Sequence, residues 1–108
     1  MTDREHKVVE IFADKLELAR TVEAELLKDT EELLTLLGAT YVRVIEATDN
    51  GVADLLVCYK GRFIACELKS ATGKPSMAQQ KFIVKVINSG GSAGVCSTLL
   101  EVLKLLLE

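Results

Sequence analysis

The stretch RFIACELKS, residues 62–70, reads as a buried β-strand until Glu67 and Lys69 interrupt it. Two residues apart on a strand, their side chains share a face, roughly 6–7 Å apart at a rise of ~3.3 Å per residue. Burying a charge is costly unless it is paired or holds a cation. A third charge belongs with them. Lys60-Gly61 reads as a tight hairpin between VADLLVCY (52–59) and RFIACELK (62–69). Pairing Tyr59 with Arg62 then sets Asp54 opposite Glu67. Two carboxylates that close repel each other unless a cation lies between them. Oxygen donors of this kind suit Mg²⁺ or Mn²⁺, and a neighbouring lysine can orient a metal-bound water or stabilise charge on a phosphate. That is the equipment for metal-assisted phosphodiester hydrolysis. An exposed strand end with an ordinary Glu–Lys pair, worth at most ~1 kcal/mol, accounts for these residues about as well.

The elements that must position these residues follow from hydrophobic spacing. Residues 4–37 lack Pro and Gly and keep a helical apolar period, so they read as one bent helix, or as two with Thr21 or Thr30 capping a fresh start. TYVRVIEA (40–47) reads as a strand closed by the turn TDNG. After the hairpin and the loop ATGKP, Ser76 is placed to cap a helix MAQQKFIVKVINS, with Phe82, Ile83, Val86 and Ile87 on its buried side. A short strand around 93–97 and a terminal helix TLLEVLKLLLE follow. The crossover through the helix makes the last two strands parallel and the sheet mixed. The expected class is therefore α/β, with a four-stranded mixed sheet.

At 108 residues the chain is expected to form one domain, 1–108. With 49% hydrophobic and 27% charged residues it reads as globular. No apolar run reaches the ~18–20 residues of a membrane span and MTDREHK is not a signal peptide, so the simplest expectation is a cytoplasmic protein. Cys58, Cys66 and Cys96 lack CxxC spacing and read as reduced core residues. The net charge of −3 is unevenly spread: residues 1–50 hold twelve acidic and six basic side chains, whereas residues 51–90 hold two acidic and six basic. The middle of the chain is thus able to offer a basic face to phosphate, although solvated lysines explain the same pattern.

The segment GVADLLVCYKGRFIACELKSATGKPSMAQQKF resembles the VRR-Nuc family of the PD-(D/E)xK nuclease superfamily, which has a restriction-endonuclease-like core. The family's Gly-x-x-Asp, Glu-x-Lys and Ser-x-x-Gln motifs fall on Gly51 and Asp54, on Glu67 and Lys69, and on Ser76 and Gln79. The likeness covers about residues 21–105 of an α-β-β-β-α-β core, leaving residues 1–20 as an N-terminal helical extension and adding a C-terminal helix. Ala53 stands where the superfamily name implies proline, a position that supplies no chemical group.

By that resemblance Asp54 and Glu67 bind Mg²⁺ or Mn²⁺, with Cys66 or a backbone carbonyl near it as a further ligand. Lys69 positions or activates the attacking water, and Gln79 (Gln80 if the helix start is shifted) holds Lys69 or the scissile phosphate. A glutamate on the preceding helix fits Glu23 best, then Glu25. Lys60, Arg62, Lys74, Ser76, Lys81 and Lys85 are candidate DNA contacts. Stand-alone members resemble phage Holliday-junction resolvases, which implies a homodimeric DNA endonuclease. A nicking or general endonuclease and a catalytically silent nucleic-acid-binding module remain alternatives. The apolar stripe Val8, Ile11, Phe12 and Leu16 serves a dimer contact or covers the domain's own sheet.

Overall fold

The computed structural model describes residues 1–108. In chain order it contains α1 (Asp3–Ile11), α2 (Glu23–Leu37), β1 (Thr40–Arg43), β2 (Leu55–Tyr59), β3 (Arg62–Leu68), α3 (Met77–Asn88), β4 (Ser92–Cys96) and α4 (Leu99–Leu107). The sheet order is β1-β2-β3-β4, antiparallel through β3 and parallel between β3 and β4. This is the mixed α/β sheet that the spacing predicts.

The hairpin register follows from its turn. Lys60 and Gly61 both have positive φ, 52° and 76°, as a two-residue turn matched to strand twist requires. Tyr59 consequently faces Arg62, and Leu55 faces Cys66. The expected strand at 40–47 is shorter. Pairing ends one step beyond Arg43, where the Val44 N–H donates to the Asp54 carbonyl at 2.8 Å. Residues 52–54 likewise lie outside β2.

Six hydrophobic residues of β2 and β3 that point to the α2/α4 side (Leu55, Val57, Tyr59, Ile64, Cys66, Leu68) form the main core with leucines of those helices. The opposite face carries a smaller cluster, with Ala53, Ala65 and Val86 at its centre. Alanines at 65 and 93 give α3 a narrow seat, so Phe82 and Ile83 are only partly buried and Ile87 is exposed, contrary to the expected burial of all four. Cys66 and Cys96 are buried thiols, but Cys58 is exposed on this face.

The N-terminal region departs most from expectation. Helix α1 is capped by Thr2 and Glu5 and stops at Ile11; residues 12–22 form turns and bends rather than helix. Thr21 caps nothing, because Val22 is the N-cap of α2, and Thr30 is buried within α2 with its hydroxyl unpartnered. Val8 and Phe12 enter the main core and Leu16 packs against it, while Ile11 stays exposed. Glu5 is buried and accepts hydrogen bonds from the Tyr59 hydroxyl and the Lys60 ammonium, tying α1 to the hairpin turn. Those bonds, with one accepted from the Thr2 N–H, hold the Glu5 carboxyl down at about 2, the Tyr59 contact contributing most. No helix is long and apolar enough to cross a membrane.

Candidate active site

Continuing the hairpin ladder one step past Leu55–Cys66 brings Asp54 to Glu67, and side-chain bonds fix both. The Asp54 N–H donates to Glu67 Oε1 at 3.2 Å, and the Leu68 N–H donates to Asp54 Oδ2 at 2.8 Å. Glu67 is 1% exposed. Burial, followed by the charge of Asp54, pushes its carboxyl up to about 7, and Lys69 only partly offsets this. The Lys69 ammonium lies 3.4 Å from Glu67 Oε2 and 4.0 Å from Glu23 Oε1. Its backbone is anchored as well, because the Lys69 N–H donates to the Cys96 carbonyl at 3.0 Å, extending the parallel ladder. Glu23 opens α2, so the start of that helix is what delivers a second carboxylate to Lys69. Glu25 is engaged elsewhere, paired with Arg20 at 2.9 Å.

Gly51 is required by a close approach. A Cβ there would lie 2.0 Å from the Ala78 carbonyl oxygen, so the lead into Asp54 packs directly on the first turn of α3. Asp49 in the same turn accepts from the Gly51 N–H at 2.7 Å and from the Lys85 ammonium at 3.3 Å. Its carboxyl is lowered chiefly by the Gly51 bond.

The other expected residues are placed as follows. Ser76 and Gln79 form a capping box, each side chain accepting from the other's backbone N–H at 3.1 and 2.8 Å, and Gln79 makes no hydrogen bond to Lys69. Gln80 donates to the Pro75 carbonyl at 3.3 Å. Lys74 follows Gly73, whose Cβ position lies 3.6 Å from Lys69 Cβ, so that loop folds back past the site. Lys81 is exposed on α3. Lys60 lies in the turn and Arg62 directly after it, at the far end of the hairpin, ~16 Å or more along the strands from the carboxylates at ~3.3 Å per residue. Lys60 is taken by Glu5 at 2.9 Å. Arg62 donates to the Leu106 and Leu105 carbonyls at 2.6 and 3.2 Å and to Ser92 at 2.9 Å, closing the end of α4. Neither reaches the site. The Cys66 thiol is also turned away: alternation along β3 sends it into the main core, opposite to Glu67, which rules out a thiolate ligand there. A hydrogen bond with Cys96, together with burial, raises this thiol well above its usual range.

Sequence reasoning did not single out Asp49 or Arg20. The TDNG turn was a signal for Asp49, whereas the partners of Arg20 are scattered along the chain.

No group of three or more His, Cys, Asp or Glu side chains converges as a metal cage, so the protein donors at this site are the Asp54 and Glu67 pair. Their chemistry nevertheless suits a hard cation. Asp54 Oδ1 has no hydrogen-bond partner, Glu67 Oε2 faces only Lys69, and a cation would offset the burial and the Asp54 charge that raise the Glu67 carboxyl.

No family model and no curated protein matches the chain. A solved structure described as "VRR_NUC domain" does: it covers 80% of this chain and 95% of its own, with a TM-score of 0.68 and 24% identity. The chain has the fold of that domain.

Proposed function

We propose that this chain is a metal-dependent DNA endonuclease of the VRR-Nuc kind, cutting phosphodiester bonds and favouring four-way junctions as a homodimer. The observation that carries the nuclease reading is the meeting of Asp54 and Glu67 at one end of the hairpin, with the Lys69 ammonium 3.4 Å from Glu67. The shared fold with a VRR_NUC domain supports it.

Asp54 and Glu67 would hold Mg²⁺ or Mn²⁺, their planes fixed by the two backbone N–H bonds. Such an ion polarises the phosphate and lowers the pKa of bound water. Lys69, restrained by two carboxylates, orients the attacking water and stabilises the extra negative charge as the new P–O bond forms and the old one breaks. The attacking water gives up its proton to solvent, and the leaving oxygen takes one from solvent. Lys74 and Lys81, on the loop and helix that follow Lys69, are the candidates for neighbouring phosphates. Junction preference rests on symmetry: a four-way junction presents two equivalent strands, which suits a two-fold dimer with two sites.

The test is cleavage of a labelled four-way junction beside duplex and nicked controls, in Mn²⁺, Mg²⁺ or EDTA. Paired symmetric cuts in the junction only, lost in EDTA and reduced about 10²–10³-fold by Lys69→Ala, are expected. Cutting of every substrate would keep the site and discard junction preference. Tight, EDTA-insensitive binding without cleavage would leave a nucleic-acid-binding module.

A further inference from the structure

Between α1 and α2 the chain crosses the molecule as a strap, residues 12–22, attached to three different elements. The Leu16 carbonyl accepts from the Leu100 N–H at 2.8 Å, at the start of α4. The Arg20 carbonyl accepts from the Ala71 N–H at 2.8 Å, two residues beyond Lys69. The Arg20 guanidinium forks onto α2, with Nη2 2.6 Å from Asp29 Oδ2 and Nη1 2.9 Å from Glu25 Oε2. Asp29 is buried, and Lys15 adds a second cation 3.6 Å away.

The two attachments made by Arg20 converge on one side chain, Lys69. The main-chain bond holds the loop that leaves Lys69. The guanidinium grips two residues one turn apart on α2, two and six positions after Glu23, and so sets where Glu23 meets the Lys69 ammonium at 4.0 Å. A planar guanidinium can bridge both carboxylates at once, whereas a lysine ammonium offers only a point charge. The geometry points to Arg20 as a positioning residue for Lys69, holding its loop through the main chain and its Glu23 partner through the ion pairs. The reading rests on the nuclease proposal for its consequence in catalysis. A simple fold staple would stabilise the protein without affecting where Lys69 sits.

Two variants separate these roles. Arg20→Lys keeps the charge and loses the bridge. Arg20→Met combined with Asp29→Leu removes the buried carboxylate together with its partner, and the charges that lose a contact, Lys15 and Glu25, are open to solvent, so no buried charge is left unpaired to unfold the protein. Each is compared with wild type by junction cleavage in Mn²⁺ across DNA concentrations. The carbon-13 methylene signals of Lys69 are recorded without DNA, assigned with Lys69→Ala and referenced to Lys81. The double variant is expected to lower kcat about 10- to 100-fold with KM within about twofold, since misplacing one group by about 1 Å costs this much. Arg20→Lys is expected to fall between, and the Lys69 signals should shift and broaden in both while those of Lys81 stay fixed. A lower melting temperature with unchanged kcat and unmoved Lys69 signals overturns the proposal and leaves a staple. Should the double variant not fold, the same two readouts on Arg20→Lys decide. If the wild type cuts no DNA, the nuclease reading fails by itself, and the Lys69 signals alone decide whether Arg20 holds that side chain.

Discussion

Glu67 faces two opposed demands. The proposed metal-binding role needs the ionised form, yet burial and Asp54 raise its carboxyl from 4.5 to about 7. Because the folded state binds this proton more tightly than the unfolded chain, its contribution to stability is fully present below about pH 4.5 and is lost as pH rises through about 7. Glu5 behaves oppositely. Its carboxyl, lowered to about 2, stabilises the fold above pH 4.5 and loses that effect as pH falls toward 2. In EDTA, the melting temperature is therefore expected to decline between about pH 5 and 7.5, and Glu67→Gln should flatten that decline. Adding Mn²⁺ should raise the melting temperature of the wild type and leave Glu67→Gln unmoved, since only the former gains a bound ion. A decline of equal depth in both proteins would remove Glu67 as its cause.

Among the elements, the hairpin was the most legible in the sequence. A two-residue turn leaves no freedom of register, so placing Lys60-Gly61 also placed Asp54 against Glu67. The strap was illegible for a physical reason. Leu16, Ala19 and Val22 keep helical spacing, but hydrogen bonds from Leu100 and Ala71 draw this backbone out of a helix, and those partners lie far along the chain. The same distance hid the roles of Lys60 and Arg62, whose partners are at Glu5 and at the end of α4. Gly51 was visible as a motif residue, but the closeness of α3 was not. Gly51→Ala would drive a methyl into the Ala78 carbonyl and must move either the turn or α3. We expect a loss of about 1–3 kcal/mol by thermal melting, together with weakened cleavage, although no chemical group changes. Wild-type stability in this variant would mean that the turn yields without cost.

For the whole molecule, the uneven charge along the chain was readable, but its spatial meaning was not. Of the six basic residues between 51 and 90, Lys60, Arg62 and Lys85 are engaged in contacts within the fold, and Lys69 lies between two carboxylates. Lys74 and Lys81 remain for an external phosphate, which is why composition alone overstates the basic face. One further consequence concerns the order in which the molecule assembles. The hairpin closes across two residues, whereas the Glu5–Tyr59 bond closes a separation of 54 residues, so the chain entropy lost in forming it is much larger. Contacts of such long reach are expected to form late, with α1 clasping a hairpin that already exists. Glu5→Ala should then speed unfolding roughly tenfold or more while changing the folding rate by less than about twofold, as stopped-flow kinetics would show. A folding rate that falls as steeply as the unfolding rate rises would place α1 in the nucleus instead. Helix α1 would thus act as a latch on the lifetime of the native state, leaving the speed of its formation to the hairpin.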